Sequence, residues 1–232
     1  MKCLVFDSGP IISLTTNNLL WLLEPLKNQF KGDFYITEGV RKELVENPLQ
    51  SRKFKFEALQ VEQQIEKGIL KVINDPKIKS KGFELMNITN SCFKADNNPI
   101  KIVQLAEMET IAFALIYGAE GIVVDERVTR LLIESPEMIK ETMRKRLHAN
   151  INVNTSNLKT INDETRDLRI IRSVELVTIA YELGILDKFV VNIPNAKREL
   201  LSSILWGVKL NGASVSEREI DELIILESKI VK

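Results

Sequence analysis

Acidic residues that are distant along the chain occur at points where a parallel α/β protein would bring them together. Asp7 and Asp125 each follow a short apolar segment, and Glu43 lies about one turn into a predicted helix. The clearest helical pattern carries Glu107 and Glu109 in its first turns. These two point about 200° apart on a regular helix, so only one is expected to face a common site. Ligands of such proteins bind beyond the carboxyl ends of the strands, where these acids would lie.

A cluster of carboxylates needs something to offset its repulsion. Two carboxylates about 4 Å apart repel by about 4 kcal/mol at an effective dielectric constant of about 20, which calls for protonation, basic partners or a divalent cation. Oxygen ligands without histidine favour Mg²⁺ or Mn²⁺, and such ions support phosphodiester hydrolysis. Each acid alone also has an ordinary explanation, as a helix cap, a partner of the helix dipole or an exposed helix residue. Their joint placement favours the metal site.

The elements that would position these acids alternate between strand and helix. Apolar runs predict strands at 3–6, 33–36, 69–73, 121–124 and 169–172. Helical spacing predicts two short helices within 10–27 and further helices at 38–46, 53–67, 104–117, 126–134, 173–183, 194–206 and 216–228, while 74–100 is predicted to be loop with one strand near 85–88. Thr37 is the expected N-cap of the helix at 38–46, which Pro48 would follow, and Ser173 is the expected N-cap of the helix at 173–183. Gly118 is expected to end the helix at 104–117, and Ser216-Glu217-Arg218-Glu219 is a capping box for the last helix. The alternation predicts a three-layer α/β/α sandwich with a central parallel sheet.

Residues 135–168 depart from this alternation and are interpreted as an insertion, a basic helix followed by strand-like or irregular chain. Four basic residues of this helix could bind RNA phosphates, or they could form a solvated helix face: Lys140, Arg144, Lys145 and Arg146. His148 lies outside the acidic motifs and is not the expected base. We divide the chain into a domain at 1–190 and a helical extension at 191–232 that packs on this domain or on a dimer partner.

Composition narrows the class of protein. The chain has 232 residues, 44% of them apolar, and its 32 basic residues balance 32 acidic ones. This supports one sizeable core and excludes a disordered chain or a strongly basic coat. One histidine and two cysteines exclude zinc sites and a disulfide framework. No apolar stretch is long enough to cross a bilayer, and Asp7 interrupts the first one, so we expect a cytoplasmic protein without a signal peptide or membrane span.

Four segments, taken in order, resemble the motifs of the PIN-domain family of metal-dependent nucleases. They are Leu4–Ile12 (LVFDSGPII), Tyr35–Leu44 (YITEGVRKEL), Ala106–Ala112 (AEMETIA) and Ile122–Arg127 (IVVDER). The resemblance covers about 2–134, and 169–190 resembles the closing strand and helix of an uncharacterised prokaryotic, toxin-like subgroup. The chain departs from the family pattern at Ala106, where glycine is usual, in the long stretch between Glu43 and Glu107, and in the insertion.

The resemblance implies a catalytic metal site made of Asp7, Glu43, Glu109 and Asp125. Glu109 is preferred to Glu107 because Thr110-Ile111-Ala112 follows it as in the family pattern. Three residues become auxiliary or hydrogen-bonding candidates: Glu107, Glu126 and Ser8. The implied activity is Mg²⁺- or Mn²⁺-dependent hydrolysis of single-stranded or looped RNA, in which water attacks phosphorus and a 3′-hydroxyl leaves.

The resemblance also implies partners. These are an antitoxin-like inhibitor protein and a homodimer, for which four apolar positions form a candidate face: Leu200, Leu201, Ile204 and Leu205. Their alternative role is packing on the same domain, which is also the role expected of Trp21 and Trp206.

Other classes of function fit less well. A catalytically silent PIN module that binds RNA or protein stays open, although all four family acids are present. A phosphatase of the haloacid dehalogenase type needs a second aspartate where this chain has Gly9, and Asp7-Ser8-Gly9-Pro10 is not the glycine fingerprint of a dinucleotide-binding fold.

Overall fold

A computed structural model describes the backbone of residues 2–230 and the side chains of residues 2–227. Within this part of the chain the strands are β1 Cys3–Phe6, β2 Asp33–Thr37, β3 Leu70–Ile73, β4 Phe93–Ala95, β5 Asn98–Pro99, β6 Gly121–Val123, β7 Ile151–Val153 and β8 Ile170–Ile171. Five of them form a parallel sheet in the order β3-β2-β1-β6-β8. Helices cover both faces, which confirms the predicted three-layer α/β/α sandwich.

The α-helices alternate with these strands through most of the chain. They are α1 Ser8–Thr16, α2 Leu23–Phe30, α3 Glu38–Arg41, α4 Asn47–Gln50, α5 Lys55–Glu66, α6 Pro76–Asn90, α7 Leu105–Tyr117, α8 Arg127–Glu134, α9 Met138–Leu147, α10 Thr155–Thr165, α11 Ser173–Glu182, α12 Ala196–Leu210 and α13 Glu217–Ile230. Short 3₁₀ turns occupy Leu20–Leu22 and Asp187–Phe189, and Lys42–Glu46 is π-helical.

The sheet reverses its strand order beside β1. The chain adds β2 and then β3 on one side of β1, and later returns to add β6 and β8 on the other side. The backbone N–H of Asp7 extends the ladder by donating to the carbonyl of Val123 over 2.9 Å. The point between β1 and β6 is therefore the position at which α/β proteins of this kind bind their ligands, and we call it the crevice.

The two faces of the sheet bury two separate apolar cores. Leu4 and Phe6 of β1 face one core with α1, α2, α5 and α11–α13, while Cys3 and Val5 face the other with α6–α10. Alternate residues of one strand are thus buried on opposite sides, as a sheet covered by helices requires. Leu201 and Leu205 of α12 lie in the first core, so these two leucines pack within the chain and are not available as a dimer face.

The helix after β2 runs further than the sequence pattern indicates. Thr37 caps it as predicted, since its hydroxyl accepts a hydrogen bond from the backbone N–H of Val40 over 3.3 Å. Winding then continues through α3, the π-helical turn and α4, past Pro48, instead of stopping before that proline. Proline has no N–H to complete an α-helical bond, and the wider π turn just before it lets the helix pass.

One expectation for the middle of the chain is wrong and another holds in part. Residues 76–90 form a helix rather than a loop with a strand, because Asp75 caps it, Pro76 starts it, and Ile78, Leu85 and Thr89 supply a sparse buried face. The chain after the basic helix α9 was interpreted as strand-like or irregular, and it forms the strand β7 followed by the helix α10. β7 pairs with β4, and β4 with β5, so the insertion completes a small antiparallel sheet with residues 93–99.

The fold gives two further outcomes for the sequence predictions. The predicted capping box of α13 is present, because Ser216 and Glu219 exchange hydrogen bonds in both directions. Among the helices that the structure describes, none is long and apolar enough to cross a membrane.

Candidate metal site

Three predicted acids lie at the crevice beside β1. Asp7 directly follows β1, and Asp125 and Glu126 follow the neighbouring β6. The two loops lie close together, since a Cβ at Gly9 would be in ordinary van der Waals contact, 3.5 Å, with the Cβ of Asp125. The parallel register of the two strands, rather than any sequence proximity, brings these acids together.

Asp7 is buried and has an unsatisfied carboxylate oxygen. Its side chain is only 4% exposed, and its Oδ1 has no hydrogen-bond partner among the described residues. The pKa of Asp7 is raised to about 7, mainly by burial and in smaller part by the charges of Glu43 and Glu126, and the backbone N–H groups of Ser8 and Gly9 only partly oppose the shift. A buried polar atom without a partner is uncommon and asks for an explanation such as an ion.

Glu107 belongs to the same electrostatic cluster. Burial, followed by the charges of Asp7 and Glu126, raises the pKa of Glu107 to about 7. Its Oε2 accepts hydrogen bonds from the backbone N–H of Gln104 over 3.1 Å and from the hydroxyl of Thr129 over 3.3 Å. These bonds fix the carboxylate at the start of α7.

Thr129 connects two of the acids, and sequence reasoning missed it. Its backbone N–H donates to Glu126 Oε2 over 2.6 Å, so that Glu126 caps α8, while its hydroxyl donates to Glu107. The side chain is 2% exposed. A threonine three residues after an acidic N-cap is the only sequence signal that could have indicated this role.

Glu109 lies between α3 and α6. Its Oε2 accepts a hydrogen bond from the backbone N–H of Gly39 in the first turn of α3, over 3.2 Å. Its backbone and Cγ lie against Gly82 of α6, where an added Cβ would approach them to about 3.0 Å. The two glutamates of α7 therefore have different partners, as the helical geometry predicts: Glu107 interacts with Asp7, whereas Glu109 bonds to Gly39.

Asp125 is held by serines on both sides. Its Oδ2 accepts from the hydroxyls of Ser13 at 3.0 Å and Ser173 at 2.7 Å, and its Oδ1 accepts from the backbone N–H of Ser173 at 2.8 Å. Ser173 was expected to cap α11, but Arg172 occupies the N-cap position and Ser173 is the first helical residue. Both oxygens of Asp125 are therefore engaged in joining β6 to α1 and α11.

Glu43 connects the acidic cluster to an adjacent cleft. It lies half-buried in the π-helical turn, a type of irregularity frequent at functional sites, and its charge raises the pKa of Asp7. It also lines a cleft of about 420 Å³ at the carboxyl ends of β2 and β3, with Glu109 on the same wall. We call the set Asp7, Glu43, Glu107 and Glu126 the acidic cluster.

The acidic cluster suits a hard cation by its charge. None of its four members takes part in an ion pair within the described part of the chain, and Asp7 offers an oxygen without a donor. Within residues 2–227, no three Asp, Glu, His or Cys side chains already converge as a ready-made metal site. A bound cation would therefore have to draw the carboxylates together.

The basic residues predicted for RNA binding lie on the exposed side of α9. Lys140, Arg144, Lys145 and Arg146 are all exposed. Glu141 forms ion pairs with Arg144 at 2.8 Å and with Lys145 at 3.7 Å. Two of the four positive charges are thus partly satisfied within their own helix.

In comparisons with known proteins, the chain matches no family model, no curated protein and no solved structure.

Proposed function

We propose that this protein is a Mg²⁺- or Mn²⁺-dependent ribonuclease of PIN type that hydrolyses phosphodiester bonds at the acidic cluster. The observation that carries the proposal is Asp7, a buried carboxylate with an unpartnered oxygen at the crevice of the sheet, surrounded by the charges of Glu43, Glu107 and Glu126. An arrangement of this kind is unfavourable without a cation, since like charges in a buried site raise one another's pKa.

Each residue of the cluster has a role in this proposal. Asp7 and Glu107 would hold the ion directly, with Glu43 and Glu126 completing the oxygen ligands. When bound, the cation supplies a Lewis acid that lowers the pKa of water and neutralises phosphate charge. Thr129 fixes Glu107 and Glu126, and Asp125 keeps the loop after β6 in place through Ser13 and Ser173.

The test combines metal binding with RNA cleavage. We expect Mn²⁺ to bind and to support cleavage of single-stranded RNA that EDTA abolishes, and we expect Asp7→Asn to lose both properties. Glu134→Gln is the matched control, because Glu134 is an exposed acid of α8 outside the cluster. Cleavage that persists in Asp7→Asn or in EDTA would show that the cluster is not the catalytic site.

The alternative is a catalytically silent PIN module that binds RNA or protein. The hydrogen bonds of two family acids favour it. Both carboxylate oxygens of Asp125 accept hydrogen bonds from serines, and the carboxylate of Glu109 accepts one from Gly39. Mn²⁺ binding without any RNA cleavage would support this alternative. A homodimer and an antitoxin-like inhibitor remain proposals from the family resemblance, and a dimer would have to use surfaces other than Leu201 and Leu205.

A further inference from the structure

The cleft beside Glu43 has the chemistry of a nucleotide-binding groove. It lies at the carboxyl ends of β2 and β3, and its wall includes the two basic residues Lys42 and Lys79. Both lysines are exposed, and neither forms an ion pair with another described residue. They come from two different elements, the π-helical turn and α6, so a phosphodiester strand in the cleft would meet positive charge from both.

The rest of the lining suits a base rather than a phosphate. Asn74 and Gln104 line the cleft with exposed side-chain amides. The amide of Asn74 offers both a donor and an acceptor, and that of Gln104 offers its NH₂ donors, because its oxygen takes part in the capping box of α7. Apolar side chains, including Ile78 and Leu105, form another part of the wall. Unstacked bases of single-stranded RNA are recognised by hydrogen bonds to their edges and by packing against their faces. The amides of the cleft can form the hydrogen bonds, and its apolar side chains can pack against the base.

Four carboxylates line the cleft, and each of them is engaged or offset by its surroundings. Glu38 is the first residue of α3, and the N-terminus of a helix favours a negative charge. Glu109 is buried and bonded to Gly39. Asp75 accepts hydrogen bonds from the hydroxyl of Tyr117 at 2.5 Å and from the backbone N–H of Lys77 at 2.8 Å, and these bonds lower its pKa. Glu43 belongs to the acidic cluster, whose charge a divalent cation offsets.

We infer that this cleft binds the nucleotide of single-stranded RNA adjacent to the scissile bond, with Lys42 and Lys79 on the phosphodiester backbone and Asn74 and Gln104 on the base edge. The inference rests on the proposed function, since Glu43 lines the cleft and also acts on Asp7. It gives the substrate a location distinct from the basic face of α9, which the sequence left open as an RNA-binding face or a solvated one.

The test measures binding of a short fluorescent single-stranded RNA with Ca²⁺ present and, separately, with EDTA. Lys42→Gln/Lys79→Gln is expected to raise the Kd about 20-fold at about 0.1 M salt and to reduce the log–log salt slope by about 1.4, the value for two lost contacts to a single strand. Lys53→Gln/Lys77→Gln removes the same charge from exposed lysines outside the cleft and is expected to bind like the wild type. Equal losses in the two double variants would overturn the assignment.

Two further variants sharpen the result. Asn74→Ala/Gln104→Ala is expected to reduce the preference for RNA over an abasic ribose-phosphate strand by at least about fivefold. Replacing the four basic residues of α9 by glutamine is expected to change the Kd less than twofold. The cleft assignment is overturned if the α9 variant loses binding while Lys42→Gln/Lys79→Gln retains it, or if base preference does not depend on Asn74 and Gln104.

Failure of this inference and failure of the proposed function give different results. If the wild type never cleaves RNA with Mn²⁺ but binds it through Lys42 and Lys79, the cleft assignment stands and the nuclease proposal falls. If the wild type cleaves RNA and Lys42→Gln/Lys79→Gln binds and cleaves it equally well, the nuclease proposal stands and the cleft assignment falls.

Discussion

Ser173 donates two hydrogen bonds to Asp125 across 48 positions of the sequence, one from its backbone N–H at 2.8 Å and one from its hydroxyl at 2.7 Å. Asp125 ends the strand that leads into the insertion, and Ser173 begins the helix that follows it. The contact therefore joins the two ends of the segment 127–172, which connects the loop after β6 to α11. It also fixes the loop after β6, which borders the crevice beside Asp7.

Removing the Ser173 hydroxyl should destabilise the protein. Ser173 is fully buried, so Ser173→Ala leaves Asp125 short of one charge-assisted hydrogen bond, which costs about 1–3 kcal/mol. Urea denaturation of the metal-free protein measures the loss. Ser203→Ala is the control, because its serine is exposed on α12 and surface changes of this size stay within about 0.5 kcal/mol. An unchanged denaturation midpoint in Ser173→Ala would show that the contact contributes nothing.

Neutralising Asp7 should stabilise the metal-free protein and remove its response to metal. Above pH 7 the wild type must keep a buried carboxylate ionised, whereas Asp7→Asn has no charge to bury. Because the pKa of Asp7 is raised from 3.8 to about 7, this difference is worth on the order of 4 kcal/mol at most. The melting temperature at pH 8 in EDTA measures the stability of the metal-free protein, and its change on addition of Mn²⁺ measures the response to metal. A lower melting temperature for Asp7→Asn in EDTA would contradict the argument.

The stability of the metal-free protein should fall as the pH rises from about 4 to 7. Asp7 and Glu107 both have a folded pKa of about 7, raised from 3.8 and 4.5. The unfolded chain therefore releases its protons first, and folding becomes less favourable until the folded groups also ionise. Glu219, with a pKa lowered to about 2, has the opposite effect, but that effect is complete by about pH 5.

Urea denaturation in metal-free buffer between pH 5 and 8 tests this dependence. Asp7→Asn/Glu107→Gln should give a flatter profile than the wild type, because both titrating groups are removed. Two results would show that Asp7 and Glu107 do not cause the pH dependence: a wild-type free energy of unfolding that rises toward pH 8, or an unchanged slope in the double variant.

Much of the fold could be predicted because its signals are local. Apolar runs and helical spacing placed the five parallel strands and most helices, and Gly118 ends α7 in the left-handed conformation as expected. Helix α6 was missed because its buried residues are few and are separated by lysines and polar residues, so the 3.6-residue period was weak. The bounds of the strand β7 were not predicted because it depends on pairing with β4, and the helix α10 was missed because it packs on α6 and α8, all distant in sequence.

The site was predicted only in outline for a related reason. Strand ends placed Asp7 and Asp125 correctly, since their positions follow from the sheet. The choice between Glu107 and Glu109 depends on how α7 is rotated, and the contacts of Glu109 with Gly39 and Gly82 fix that rotation. A family-like sequence pattern carries no information about such contacts between distant segments.

The close contact between α6 and α7 should depend on Gly82. A Cβ at this position would lie about 3.0 Å from the backbone N and the Cγ of Glu109, so Gly82→Ala must push the helices apart. We expect a net loss of about 1–2 kcal/mol, after the gain of about 1 kcal/mol from the higher helix propensity of alanine. Ser80→Ala, at an exposed site of the same helix, should leave the denaturation midpoint unchanged. A stabilised Gly82→Ala variant would show that the helices separate at no cost.

Glu107→Gln and Glu109→Gln are a matched pair that separates metal binding from packing. Both remove one carboxylate from α7, but Glu107 interacts with Asp7 and Glu126 while Glu109 bonds to Gly39. Glu107→Gln should weaken Mn²⁺ binding by at least about tenfold and should stabilise the metal-free protein at pH 8. Glu109→Gln should keep its Mn²⁺ affinity within about twofold and lose up to about 1 kcal/mol of stability, because a glutamine oxygen can still accept the bond from Gly39. Calorimetric titration with Mn²⁺ and urea denaturation measure the two effects, and the reverse order of Mn²⁺ affinities would make Glu109 the metal ligand.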